Sequence, residues 1–534
     1  MMKKSHIFLG LTALMLATSS CDKYLDINTN PNSATNASAQ LVLPQAIAGT
    51  ANLASQYNTY GAHFGGYIAN AGGFSGFGTL LNYNIVPGEY NGIWVNTYDN
   101  LNDYKYVMDQ TEGVDAQAYY NATARIMTAL NYQRLVDAFN DVPYTEALQG
   151  SANRQPKYDD AATIYQDLIV QLDRAIETIN KAQSPVALNS SSDPMFSGNM
   201  TSWKQFANTL KLRILVRLSG VQALSSFVTT KAAALDKTIG FLATDAIVNP
   251  GYVKQDGKQN PFWNTFGYSI AGALGTLAPS RLPTQFVFGF YNGQKLTDTG
   301  RGSVTFKNFA AGTTPVNQLG NETNAPTVVT NYPTWYTGVF SSASSIGNSL
   351  GLLKGPSMGQ PIMLAAESHF LQAEARLKGY LTGDVAESFN QGITQSFTYL
   401  YKDVTNVVAA TKNVAADVAA YKAANAADNA NSYLVNFALA TTPEQKLEAI
   451  ITQKYIALNM INSDEGWNEY RRTGYPKTNP AGNGFTNIAS NKSNSPRPDR
   501  LPTRILYPSS EQSFNSANYR AVNQFSDRIF WDPN

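Results

Sequence analysis

Along most of the chain, apolar residues recur every three or four positions, the spacing that gives an α-helix one apolar and one polar face. In DDAATIYQDLIVQLDRAIETI the residues Ile164, Leu168, Leu172, Ala175 and Ile179 share one stripe, and Asp159 or Asp160 is placed to cap the first turn. The preceding ARIMTALNYQRLVDAF runs into NDVPY, where Asn140 tolerates the left-handed backbone of a helix stop and Pro143 cannot continue the helix. This pattern holds from about Gln40 to Leu218. It returns in PIMLAAESHFLQAEARLKG, with Met363, Ala366, Phe370, Ala373 and Leu377 on one face, Pro361 in the first turn, and Glu374 and Lys378 as an i,i+4 pair outside the stripe. A further helix, TPEQKLEAIITQKYIALNMI, aligns Leu447, Ile450, Ile451, Tyr455 and Leu458 behind a Thr442 cap and a first-turn Pro443.

Between these helical runs, from about Asn249 to Gly359, the periodicity is lost. Gly, Pro, Thr and aromatic residues dominate and charges are few, which predicts irregular loops with short strands or helices. From about Thr473 onward the chain is rich in Pro, Asn and Ser and is expected to wrap the surface. Helix pairs joined by short turns suggest tetratricopeptide-like hairpins, although the ~34-residue signature is faint. Ala161 and Tyr165 fit its A-x3-F/Y element, whereas Ala386 meets Asn390 at the matching position. The expected fold is mainly α.

At the N-terminus, Lys3 and Lys4 precede an apolar run, Ile7 to Ala17, and small residues lead into Cys21, the order of a secretory signal. Cys21 is the only cysteine. Its thiolate is the nucleophile a lipoprotein signal needs for attachment of a diacylglyceryl group, although Thr18 occupies the place where leucine is usual. A lone exported thiol has no disulfide partner. The reading is a signal peptide over 1–20, a lipid-proximal tether over 21–38 and one domain over 39–534. No later stretch has the roughly 18 apolar residues a membrane helix needs.

Composition narrows the chemistry. A formal net charge of +1 with 14% charged residues leaves no basic face for nucleic acid. Three histidines and one cysteine offer almost no material for a zinc site, so neither metal nor cofactor is expected. Asp26, Asn28 and Asn30 imitate a calcium loop, but Pro31 stands at the glycine position and Ala37 at the closing glutamate.

Five stretches, in order, carry a family resemblance: NDVPYTEAL, PKYDDAATIYQDLIVQLDRAI, AESHFLQAEARLKG, QKYIALNMINSDEGWNEYRRTGYP and LPTRILYPSSE. Together they resemble the SusD/RagB family of nutrient-binding outer-membrane lipoproteins, in particular its SusD-like subgroup. The resemblance implies four tetratricopeptide-like hairpins with an inserted irregular region. It further implies a lipid-anchored, surface-facing protein at the outer membrane that captures an oligosaccharide or peptide for a SusC-like TonB-dependent barrel. Asn140 stands where the family often has glycine. Asp22 beside the lipidated cysteine is an inner-membrane retention signal in some bacteria, so outer-membrane placement rests on the resemblance.

Capture without chemistry calls for aromatic faces flanked by amides and hydroxyls. Two clusters in the irregular region qualify: Phe262, Trp263, Asn264 and Tyr268 in NPFWNTFGY, and Tyr332, Trp335 and Tyr336 in NYPTWYTG. Tyr67, Phe74 and Phe77 in the Gly-rich GGYIANAGGFSGFG form a third candidate. The first two compete with the reading that a loop aromatic pins its loop to the core, the third with a flexible segment that contacts a barrel, and Trp94 and Tyr98, four apart, are assigned to the core outright. GPSMG, residues 355–359, matches G-x-S-x-G, yet lacks a buried strand before Ser357 and an acid to orient His369. Asp464 and Glu465 are adjacent and do not face each other across a sugar. Trp467, Arg471 and Arg472 are expected to join a helix end to the C-terminal wrap, the arginines paired with carboxylates. The leading reading is a non-enzymatic binder; a surface hydrolase using Ser357 and a purely protein-binding scaffold are its rivals.

Overall fold

The computed structural model describes residues 37–72, 77–309, 316–322, 334–335, 349–426 and 430–534. The expected signal peptide, Cys21, the calcium-like Asp26–Asn30 run and nearly all of the expected tether lie outside these residues.

Among the described residues, ten helices of eleven or more residues form the frame: α1 Ala39–Phe64, α2 Asn91–Thr111, α3 Ala118–Phe139, α4 Ala161–Lys181, α5 Met200–Leu218, α6 Ala365–Leu377, α7 Val385–Tyr401, α8 Val414–Ala424, α9 Pro443–Ala457 and α10 Ser463–Thr473. Their ends follow local chemistry. Asp160 caps α4 by accepting from Thr163 N at 2.9 Å. Asp159 instead accepts from Tyr144 N and Thr145 N, both at 2.9 Å, which fastens the NDVPY turn to the start of α4. Asn140 ends α3 at φ 66°, the left-handed step its sequence allows. Thr442 and Gln445 close a capping box on α9, with Pro443 in its first turn.

Two local expectations are corrected. Pro361 is not in a helix: it lies in strand β6, Gln360–Met363, and α6 starts at Ala365. Its missing N–H costs nothing in a two-stranded ladder that leaves one edge unpaired. Glu374 is not on the outside of α6. It is buried, receives Arg472 through two 2.7 Å bonds, and holds Lys378 only at 3.7 Å.

Consecutive helices α1 and α2, α3 and α4, and α6 and α7 pack side by side, while α10 returns against α1. That return needs a bare backbone at Gly61, where a Cβ would stand 2.0 Å from the Asp464 amide nitrogen. The other strands are β1 Ile68–Asn70, β2 Ala246–Val248, β3 Arg281–Pro283, β4 Phe306–Lys307 and β5 Thr334–Trp335. They pair antiparallel as β1 with β3, which ties the insertion to the frame, β2 with β6, which closes its base, and β4 with β5, which lies within it.

The interior of the frame is ionic as well as apolar. Arg217 on α5 reaches Asp137 of α3 at 2.5 Å and also pairs with Glu465 of α10. Arg213 lies 3.3 Å from Glu367 of α6 and 3.4 Å from Glu465. Lys454 of α9 reaches Glu469 at 3.1 Å, and Arg472 bridges Glu469 and Glu374. All of these side chains are buried. The expected carboxylate pairing therefore holds for Arg472. Arg471 instead donates to carbonyls, of Thr503 in the C-terminal wrap and of Asp137, each at 2.8 Å.

Adjacent acids in this network titrate oppositely. Burial alone would raise the Glu465 carboxyl, but Arg213 and Arg217 outweigh it and hold it at about 2. Asp464 is pushed up to about 6, because burial dominates and its nearest cation, Arg134, stands 3.6 Å away. A depressed carboxyl adds stability that is lost as pH falls from its ordinary value through the folded one. Urea unfolding should therefore show stability falling as pH drops from 4.5 towards about 2, and Glu465→Gln should flatten that slope. Asp464 has the opposite sign, its contribution waning as pH rises from 3.8 to about 6, a loss that Asp464→Asn should remove. Gly61→Ala should destabilise by roughly 1–3 kcal/mol through overpacking, seen as a lowered urea midpoint at unchanged slope.

Candidate functional site

The candidate site grows from the ribbon that follows α1. Gly66, at φ 71°, turns the chain where a Cβ would meet Ile488 at 2.2 Å. Next to it the Tyr67 ring stacks on Tyr455 at 4.2 Å and its hydroxyl donates to the Tyr455 carbonyl at 3.0 Å. β1 then runs outward and pairs with β3 so that Asn70 stands opposite Arg281. Asn70 acts as an amide staple: its Oδ1 accepts from Gly320 N at 2.9 Å and its Nδ2 donates to Asn321 O at 3.0 Å. Asn317 reciprocates, donating to Asn70 O at 2.7 Å and to Asn321 O at 2.8 Å. These bonds replace a sheet in holding an irregular segment to the frame.

At the end of this ribbon the Arg281 guanidinium lies over the Phe77 ring, 3.6 Å from its centroid, and donates to Ser280 Oγ at 3.1 Å. Burial lowers its pKa to about 10, with Tyr90 and Glu89 offsetting part of the effect. Phe77 in turn lies 6.3 Å from the His63 ring. His63 is buried, which drives its pKa down to about 4, and its Nε2 sits 3.0 Å from the Leu80 carbonyl. A carbonyl only accepts, so the neutral ring carries its proton on Nε2.

A second feature adjoins the short helix Pro261–Phe266, capped by Asn260. The chain beyond it forms a hairpin bridged at Tyr268 and Leu274, whose tip leaves Ile270 and Leu274 42% and 49% exposed. Asn264 is exposed and accepts from Gln259 Nε2 at 3.2 Å; Tyr268 is half-buried.

The aromatic residues singled out in the sequence divide sharply. Trp263 and Tyr67 are 0% exposed, Phe77 2%, Phe262 4% and Trp335 4%. Trp263 is enclosed by Gly267, where a Cβ would come within 2.6 Å of the indole, and Trp335 sits 5.7 Å from Phe306 across the β4–β5 ribbon. None of these five presents a ring face to solvent. Of the first cluster only Asn264 and Tyr268 reach the surface. Tyr332, Tyr336 and Phe74 lie outside the described residues. Trp94 is buried, packing on Tyr98 at 5.0 Å and Phe139 at 5.0 Å.

Arg281 is the residue the sequence reading passed over. Its signal was a lone cation in PSRLP, within a long stretch of very low charge. The G-x-S-x-G match resolves as a turn: Gly355 has φ 148°, the Ser357 carbonyl accepts from Asn249 Nδ2 at 3.2 Å, and a strand, β6, follows the serine where a nucleophile elbow has a helix. Asp464 and Glu465 are consumed by the interior ionic network.

Clefts of ligand size also occur on the frame. One of about 400 Å³ lies along α2, α3 and α4, lined by Lys105, Met108, Arg125, Tyr132, Tyr144 and Gln171 among others. Its charges are internally matched, Arg125 bonding Glu112 at 2.8 Å and Gln171 at 2.5 Å. An apolar cleft of about 320 Å³ lies beside Trp94, Val95, Tyr98, Pro143 and Pro156.

Residues 31–508 match a SusD-like family described as starch-binding and associating with the outer membrane. None of the curated proteins compared by sequence matches the chain. Solved structures do. A SusD homologue from Parabacteroides distasonis superposes with a TM-score of 0.72 at 20% identity, covering 93% of this chain and 98% of that one. One from Bacteroides uniformis gives 0.69 at 23%, covering 92% and 99%. A chitin-binding SusD homologue from Flavobacterium johnsoniae gives 0.67 at 20%, covering 92% and 99%. At such identity the superpositions establish the fold, and with the family match spanning nearly the whole sequence, this chain belongs to the SusD-like family.

Proposed function

We propose that this protein is a cell-surface lipoprotein that binds a nutrient glycan without cleaving it and passes it to a SusC-like TonB-dependent barrel. Cys21 carries the lipid. Among the described residues no helix is long and apolar enough to cross a membrane, so anchoring falls to the acyl chains, at about 0.8 kcal/mol per buried CH₂. Structural likeness to chitin-binding relatives supports a glycan over a peptide. The observation that carries the reading is the set of polar side chains the insertion leaves at least partly exposed: Arg281 on its ring platform, and Asn264 and Tyr268 on the segment and hairpin that follow Asn260. Such a group binds by edge contacts and hydrogen bonds rather than by wide ring faces, because the large aromatics beneath it are spent on packing.

A protein-binding surface is a second reading, favoured by the apolar cleft at Trp94 and Tyr98 with Val95 44% exposed at its edge. The barrel partner of the first reading would use such a surface too. The two readings separate on whether any glycan binds.

Titration of the lipid-free protein with chitin, starch and plant polysaccharide fragments should give saturable binding to at least one, with no new reducing ends on prolonged incubation. Asn264→Ala with Tyr268→Ala should weaken it about tenfold while leaving the urea midpoint near wild type. Trp263→Ala should instead cost about 3–5 kcal/mol of stability, as for a core indole. Binding to no glycan, or hydrolysis abolished by Ser357→Ala, overturns the proposal. Separately, Cys21→Ala should move the protein from the membrane fraction to the soluble one at high salt; retention in the membrane defeats the anchor assignment.

A further inference from the structure

We propose that Arg281 makes the insertion surface selective for acidic glycans, seating a carboxylate or sulfate of the sugar against the open edge of its guanidinium. The proposal rests on the glycan-binding reading above and names the ligand class that site admits.

Most interior arginines of this fold are matched with oxygen acceptors, Arg134 being the exception, with the Asp464 carboxylate 3.6 Å away and no hydrogen bond from its guanidinium. Arg213, Arg217 and Arg472 have carboxylates at close range, Arg301 has Asp298 at 2.5 Å, and Arg471 has two carbonyls and an amide oxygen. Arg281 is different. A guanidinium offers five N–H donors, and among the described residues one hydroxyl, Ser280 Oγ, takes one of them at 3.1 Å. Phe77 covers one face of the group and contributes no acceptor in its plane. The charge is thus partly stripped of water, and among the described residues no carboxylate lies within ion-pair distance of it, Glu89 acting only from longer range. The stretches 73–76, 310–315, 323–333 and 336–348 contain neither Asp nor Glu.

The complement of a planar, half-buried donor fork is a pair of oxygens bearing charge. Charge-assisted bonds to such a pair are roughly twice as strong as neutral ones. A neutral diol also offers two oxygens, but it leaves the cation uncompensated. The groups that face Arg281 electrostatically are Tyr90, the neutral His63 and the exposed Glu89. Glu89 is the one resident anion among them. It would repel an incoming carboxylate, and this supplies an independent test on a residue that is not in the core.

The experiment is a glycan array bearing uronate-, sialate- and sulfate-containing chains beside their neutral counterparts, with acidic peptides as a further panel, probed with the lipid-free protein and its variants. Acidic glycans should bind preferentially. Their binding should fall about tenfold or more in Arg281→Met, be partly kept in Arg281→Lys, rise in Glu89→Gln, and weaken on going from about 50 mM to about 0.5 M NaCl. Glu89→Gln keeps the test valid if Arg281→Met fails to fold. Binding confined to neutral chains, acidic binding indifferent to both substitutions, or preference for acidic peptides overturns the proposal. The first of these leaves the glycan-binding reading intact, whereas an array silent for every chain overturns both.

Discussion

The frame depends on charges taken out of water together. Six carboxylates, Asp137, Glu367, Glu374, Asp464, Glu465 and Glu469, meet five cations, Arg134, Arg213, Arg217, Lys454 and Arg472, all buried and drawn from α3, α5, α6, α9 and α10. Isolated burial of any one would cost several kcal/mol, and their mutual attraction offsets that cost only in good geometry. Such a network is weak as a source of net stability and strong as a constraint on arrangement. A helix that slid by a turn would strand a cation, and removing one partner of a buried pair costs about 3–5 kcal/mol. Trp531 and Tyr165 add hydrogen bonds to Asp137, which fastens the C-terminal wrap and α4 to the same centre.

That rigidity lets an irregular insertion be positioned without a large sheet. The β1–β3 ribbon has only three residue pairs, yet it is rooted beside α10, where Tyr67 reaches towards Gly466 and the Tyr455 carbonyl. Asn70 and Asn317 then carry the order outward, one amide at a time. Arg281 comes at the end of this chain of constraints, which is why a cation on a loop-bearing ribbon has a defined platform under it.

The same logic explains the aromatic residues. An indole or phenol ring in a low-charge loop is equally suited to gripping a sugar and to anchoring its own loop. In this protein Trp263 and Trp335 anchor, and the proposed recognition falls to Asn264, Tyr268 and Arg281. Placing the large rings inside gives the insertion a small core of its own, including Phe306, Phe288 and Tyr291 at edge-to-face distances of 4.9 to 5.1 Å.

The sequence by itself determined the helices, several of their caps and stops, the irregular span and the family, because these rest on local periodicity, on Asp160, Asn140, Thr442 and Pro443, and on ordered motifs. What only the tertiary structure decided is the fate of each side chain whose chemistry suits two environments. Periodicity could not reveal that Glu374 faces inward, since its partner Arg472 lies 98 residues away. Nor could it show that Pro361 joins a strand whose mate, β2, is more than a hundred residues earlier. Trp263 and Arg281 exchanged the importance their sequence contexts suggested for the same reason: burial is a property of long-range packing, and it turns one exposed-looking ring into core and one unremarked cation into a half-buried donor seated on a ring.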